Sequence, residues 1–270
     1  MTEPSPMTRD RPGGLFVDVV RSEFAKLMTV RATYLTLAAT GAITIGAAIG
    51  LCGAYIRRVP ELKQITELKF NATSYSLSGV LIAQLAVGVL GILVITSEHA
   101  TGMIRSTFAA VPQRRTVLAA KAVTFAGVTL AVGELASFVA FFVGQAILAG
   151  RDAGVTLASP GALRAVVGAG LYLALLGLFA LAIGTLVRHS AGAIAVLFGV
   201  LLVLPALTEG LPDTMQNAVN PYLPAYAGQA IFHTAADTHL LTPWEGLALF
   251  TSYTAAALLA AFITIQHRDV

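Results

Sequence analysis

The chain has 270 residues, of which 56% are hydrophobic and only 11% charged, less than half of the roughly 25% charge of an ordinary soluble domain. That balance, with a mean hydropathy of +0.78, excludes a water-facing single domain, a disordered chain and a coiled coil, and makes lipid the solvent for most residues. The net charge of +3 and the 17 Lys and Arg would suit nucleic acid only if clustered; they are scattered between apolar runs, so no nucleic-acid partner is expected.

Residues 1–14 are polar, contain Pro4, Pro6 and Pro12, and carry both charge signs. They read as a short disordered cytoplasmic tail, since a signal peptide needs a basic start and a short apolar core. Over residues 15–31, helical steps of about 100° gather Phe16, Val19, Val20, Phe24, Leu27 and Val30 on one face, with Asp18, Ser22, Ala25 and Thr29 opposite. This predicts an amphipathic helix lying along the membrane interface. Glu23 breaks the pattern by falling on the apolar face. It is either an i,i+3 partner for Lys26, worth a few tenths of a kcal/mol, or the partner of a basic residue elsewhere in the protein.

Runs free of Asp, Glu, Lys and Arg, of the about 20 residues that a spanning helix needs, then recur six times, one of them interrupted by Glu134. They predict spans at about 33–56, 75–96, 117–149, 163–187, 191–208 and 244–265. Cys52 sits in the first, among Leu51, Gly53 and Ala54, and is expected to be inert packing. Small residues one turn apart, Gly46 with Gly50, Gly127 with Ala131 and Gly133 with Ser137, suit close helix contact in lipid. An even number of spans puts both termini on one side. That side holds Arg9, Arg11, Arg21, Lys26, Arg31, Arg105, Arg114, Arg115, Lys121, Arg188 and Arg268, eleven of the 17 basic residues, against Arg57, Arg58, Lys63, Lys69, Arg151 and Arg164. The excess assigns both termini to the cytoplasm.

The second and third spans are joined on that side by residues 97–116. Glu98 follows the apolar run, Gly102 permits a sharp bend, Met103 to Ala110 is compatible with a short helix, and Pro112 stops it before Arg114 and Arg115. Such a segment can present a surface to a soluble partner; equally, a basic loop beside a membrane helix can simply set orientation and bind anionic lipid. Glu134 lies well inside the third span, where a carboxylate typically faces a bundle interior, a cavity or a partner. It serves either a translocation path or helix packing, the latter with Gln84 or Gln145 as hydrogen-bonding neighbours. Residues 209–243 are rich in proline, with apolar Tyr222, Leu223, Tyr226, Ile231 and Phe232 between, and a loop of that length is expected to be functional or partly helical. His233, Asp237 and His239 match no zinc spacing and read as solvated loop residues. Asn71-Ala72-Thr73 fits a glycosylation pattern too common to use.

The order of Ser22-Glu23-Phe24-Ala25-Lys26-Leu27 before the first span, Glu98 to Arg115 with Lys121 after the second, and Tyr222-Leu223-Pro224 to Gly228-Gln229-Ala230 before the last resembles the permease subunits of bacterial type-2 ABC exporters. The resemblance covers nearly the whole chain, without the large extracellular domain of some lipid and sugar exporters. It implies an all-α integral membrane protein of the cell membrane, with six transmembrane helices preceded by an amphipathic interfacial helix, and with residues 209–243 dipping back into the outer leaflet as short helices. It implies further that Glu98, Gly102, Arg105, Pro112, Arg114 and Arg115, with Glu23 and Lys26 beside them, form the surface that docks an ABC ATP-binding subunit. No G-x-x-x-x-G-K-[ST] loop occurs, so ATP and magnesium belong on that separate chain and no cofactor is expected on this one. A second permease copy, identical or related, completes the implied assembly. Two alternatives stay open: a secondary transporter coupled to ions through Glu134, and a membrane enzyme, for which neither H-E-x-x-H nor G-x-S-x-G is present. The substrate is not written in the residues.

Overall fold

The computed structural model describes residues 12–62, 70–111, 113–151, 153–234 and 240–267; the tail to residue 11 lies outside them. Twelve α-helices follow one another among the described residues, with no strand: α1 Pro12–Thr29, α2 Arg31–Leu62, α3 Ala72–Leu77, α4 Val80–Ala100, α5 Met103–Ala110, α6 Arg114–Ala149, α7 Ala162–Val187, α8 Ser190–Phe198, α9 Leu204–Thr208, α10 Asp213–Val219, α11 Pro224–Gln229 and α12 Pro243–His267. Six helical stretches among the described residues are long and apolar enough to cross a membrane: Arg31–Arg57, Ala72–Ala100, Arg114–Ala149, Ala162–Val187, Ser190–Thr208 and Pro243–His267. The chain is therefore an all-α protein with six candidate spans, as its hydropathy dictates.

α7 is the hub. Of its most apolar stretch 78% is buried, against 22% for Ser190–Thr208 and for α12, so α7 is enclosed by the other helices while those two form the rim. It packs against α4, α6 and α12, and Tyr172, Leu173, Leu176 and Leu181 on it are fully buried. Small residues let the backbones approach. A Cβ on Gly91 of α4 would stand 2.6 Å from the Gly177 carbonyl oxygen of α7, and one on Gly133 of α6 would stand 3.2 Å from the Gly170 Cα. Gly133 thus serves close packing as its sequence suggests. Gly46, Gly50 and Gly127 do not, because a Cβ there would meet nothing within 4 Å; these glycines lie on outward faces.

Several boundaries differ from those read off the sequence, each for a local reason. The second span is broken at Ser78 and Gly79 into α3 and α4, where a Gly79 Cβ would stand 2.6 Å from the Thr44 backbone of α2. It also continues to Ala100 rather than ending near 96, and the third span begins at Arg114 rather than 117. Glu98, Arg114 and Arg115 are therefore on helical turns, since flanking polar residues cap a spanning helix without ending it. Gly102, at φ +72°, makes the turn from α4 into α5 in the left-handed region that a side chain would resist. The fifth span widens to π-helix over Gly199–Val203 just before Pro205, which lacks an N–H and crowds the carbonyl four residues back.

The expected apolar face of α1 divides in two. Val19, Glu23 and Leu27 are buried, whereas Phe16, Val17, Phe24, Met28 and Val30 are more than a third exposed. The helix lies wedged along α6, with one face on the bundle and another left for lipid. The two ends of the bundle are also distinct. At one end Arg114 donates to the Ile265 carbonyl at 3.3 Å and Arg115 to Gln266 Oε1, which sets the end of α12 beside the start of α6, on which α1 and α5 also pack. At the other end Arg164 donates to the carbonyls of Ile231 at 2.7 Å and His233 at 3.0 Å, and Thr234 donates to Asn71 Oδ1 at 2.7 Å. The segment after the fifth span forms α10, with no buried residue, and α11, whose Ala225, Ala227 and Gly228 pack inward.

Candidate coupling site

Two carboxylates and two ammonium groups meet under α1. Glu23 is 2% exposed, Lys121 2% and Glu98 4%, which places three ionisable groups inside the protein where one unpaired charge would cost several kcal/mol. Lys121 Nζ, from α6, donates to Glu23 Oε2 at 2.6 Å and to Glu98 Oε1 at 2.9 Å. Lys26 Nζ, one turn after Glu23, donates to Glu23 Oε1 at 2.6 Å, to Glu98 Oε1 at 3.5 Å and to Thr107 Oγ1 at 3.4 Å. The formal charges cancel. Through these bonds α1, α4 and α6 share one buried ionic core, and α5 is tied to it by Thr107.

Both readings of Glu23 hold at once, because each carboxylate oxygen takes one lysine. Burial by itself would pull the Lys26 ammonium down; the hydrogen bond to Glu23 and the charge of Glu98 outweigh it, so its pKa stands above the ordinary 10.5. Lys26 remains 29% exposed at the edge of the cluster. One atom is left over: Glu98 Oε2 is buried and accepts no hydrogen bond. Lys121 belongs to the motif on which the family resemblance rests, and it is the basic residue from elsewhere that meets Glu23; its second bond, to Glu98, is not among the roles expected from the sequence. Its signal is a lysine in the first turns of a long apolar helix, with no carboxylate on its own helix three or four residues away.

The remaining expected site residues fall in separate places. Gly102 forms the α4 to α5 bend, Arg105 lies on α5, and Pro112 is outside the described residues. Arg114 and Arg115 hold the end of α12. Glu134 is not where its expected partners are, which corrects that expectation. Its carboxyl packs on Gly170 of α7, at the place a Cβ would occupy, and its Oε2 is buried without a hydrogen bond. Gln84 instead donates to the Leu81 carbonyl and accepts from the Tyr172 hydroxyl. Gln145 donates to Ala72 O at 3.2 Å and Ser76 Oγ at 3.0 Å, and accepts from Val155 N at 2.7 Å. It is 11 residues beyond Glu134 on the same helix, about 16 Å at 1.5 Å per residue. Among the described residues no group of His, Cys, Asp and Glu could hold a metal; Asp237 and His239 lie outside them. No protein-family model and no curated protein sequence matches the chain.

Proposed function

We propose that the chain is the permease subunit of an ATP-driven exporter of the type-2 ABC kind, and that a separate ATPase acts on it through the end of the bundle carrying α1 and α5. The observation that supports this reading is the buried four-charge cluster. A helix laid across the bundle end, an interfacial helix and two spans converge on charges that cannot be pulled apart without stranding one in a low-dielectric interior. A displacement of α5 or α1 therefore moves α4 and α6 with it, the kind of two-state element that nucleotide-driven closure can bias. In this reading Glu23 and Glu98 are positioning residues, because their carboxylates are enclosed. The surface offered to the ATPase is the outward side of α5, where Ser106 and Ala109 are exposed. ATP and magnesium sit on the partner, two permeases and two ATPases form the assembly, and the α1 end faces the cytoplasm.

Purification of the full chain in mild detergent from its native membranes tests the proposal. A co-purifying P-loop ATPase is expected in equal amount, and Ser106→Trp with Ala109→Trp is expected to remove it while membrane insertion is unchanged. A chain that moves substrate by itself under a proton gradient, with no ATPase, would overturn it.

A further inference from the structure

Two open cavities adjoin where the start of α6 meets the end of α12, beside α1. The first, of about 450 Å³, is lined by Gln113, Arg114, Arg115, Thr116 and Gln266. The second, of about 470 Å³, shares Arg115 and Thr116 with the first and continues over Phe16, Ala119, Leu259, Phe262 and Ile263. Together they form one groove whose character changes with depth. Along α6, Arg115 to Ala119 covers about 6 Å into the bundle at 1.5 Å per residue, and along α12, Gln266 back to Leu259 covers about 10 Å in the same direction. Over that length guanidinium and amide give way to methyl, methylene and phenyl groups. Ile263 is 56% and Leu259 64% exposed, so the apolar half opens on the outside of the bundle, where a spanning helix meets lipid.

The chemistry of an occupant follows from charge and from that gradient. Arg115 is exposed and gives one N–H to Gln266 Oε1. A guanidinium has five such donors, and Arg115 makes no ion pair among the described residues. Among those residues no carboxylate lines either cavity. Arg114 is held by the Ile265 carbonyl and fixes α12 beside the groove; the charge that counts is that of Arg115, whose planar fork matches a phosphate. A soluble anion would use the cationic half and leave the apolar half empty. A zwitterionic lipid would fill the groove but bring its own cation to the guanidinium. A lipid of net negative charge suits both halves, and a basic pocket between spanning helices is the kind of place where anionic heads are held.

We infer that this groove is a site for an anionic phospholipid of the adjoining leaflet, its phosphate on the Arg115 guanidinium and one acyl chain along Phe16, Phe262 and Leu259. The lipid then bridges α1, α6 and α12 at the end of the bundle. The site stands on the groove and on Arg115, and does not depend on the exporter reading.

The full chain, with whatever subunits accompany it, is reconstituted in vesicles of phosphatidylcholine alone or with a minority of phosphatidylglycerol, and followed by thermal melting and by native mass spectrometry of retained lipid. The glycerol lipid is expected to be retained in preference to the choline lipid and to raise the melting temperature. Arg115→Gln, which removes the charge and keeps a polar side chain, is expected to cut that retention about tenfold, as loss of a charge-assisted phosphate contact predicts. Arg21→Gln, the same loss of charge at an exposed position of α1 outside the groove, is expected to change it by less than about twofold. Ala119→Phe, which fills the apolar half without touching a charge, is expected to abolish the preference and leave melting in phosphatidylcholine unchanged. Equal retention of the two lipids would overturn the inference, and so would equal losses in the two arginine variants, which is what diffuse attraction to an anionic surface gives. It also falls if glycerol phosphate in the buffer gives the same rise in melting temperature, or if the preference survives Ala119→Phe. A preference that emerges only in Asp269→Asn would make the chain's own carboxylate the occupant and overturn it too.

Discussion

Lys121 holds two carboxylates that have no water to turn to, and its removal is the most consequential single change the structure suggests. Lys121→Met leaves Glu23 and Glu98 facing each other with Lys26 alone, and should cost about 3 to 5 kcal/mol, read as a large fall in melting temperature in detergent. Glu23→Gln combined with it should cost less than the sum of the two, by more than about 0.5 kcal/mol, because the pair acts as one unit. The raised pKa of Lys26 fixes a pH window. A raised value means that its contribution is complete below pH 10.5 and lost only as pH climbs past the shifted value. The melting difference between the wild type and Lys26→Met should thus be flat through neutral pH and shrink above 10.5. Glu134 runs the other way. Its buried Oε2 has no hydrogen bond, so Glu134→Leu should hold or raise the melting temperature, by about 1 kcal/mol of relieved desolvation. If transport falls while melting does not, the carboxyl serves transport and not packing.

At the scale of helices, the crossings on α7 depend on absent side chains. Gly91→Ala would drive a methyl to 2.6 Å from the Gly177 carbonyl oxygen, a backbone atom that cannot rotate away, and the expected cost is about 1 to 3 kcal/mol. Gly127→Ala on α6, where a Cβ meets nothing within 4 Å, should be neutral or stabilising by up to about 1 kcal/mol through helix propensity. Melting curves of the two variants side by side separate packing glycines from incidental ones. The sequence could not make that distinction, since glycine spacing is the same on a face that meets another helix and on a face that meets lipid. It did locate α5 from Met103 to Ala110 with its Gly102 bend, because a left-handed turn favours glycine, though Arg188 adopts the same region at φ +62°.

For the molecule as a whole, the hydrogen bonds at its two ends divide the described loops into two sets. One set gathers α1, α5 and the end of α12, the other α10, α11 and the 231–234 segment. In a Cys52→Ser background, Ser106→Cys and Asn217→Cys, both exposed, should react with a membrane-impermeant maleimide from opposite sides of the membrane. With the inward excess of basic residues, Ser106→Cys is the one expected to react from the cytoplasm. Reaction of both from one side would break the six-span topology. Cys52 itself is buried, its sulfur 3.8 Å from Ser76 Oγ, so its replacement by Ser serves only to leave the introduced cysteine as the single thiol.

The number and approximate place of the six apolar stretches, the interfacial helix and the short α5 were determined by the sequence, because hydrophobic length, amphipathic period and glycine chirality act within a few turns of the chain. Which charge meets which was not. Glu23, Glu98 and Lys121 are 98 residues apart from first to last, and their burial together depends on how α1, α4 and α6 pack. The same dependence misled the expectation for Glu134. Gln84 and Gln145 are plausible partners for a buried carboxyl by type, but the rotation of α4 turns Gln84 to Tyr172, and Gln145, about 16 Å along the same helix as Glu134, reaches Ser76 instead. Tertiary structure alone decides that rotation, because an apolar helix in lipid shows little one-sided patterning that could set it in advance.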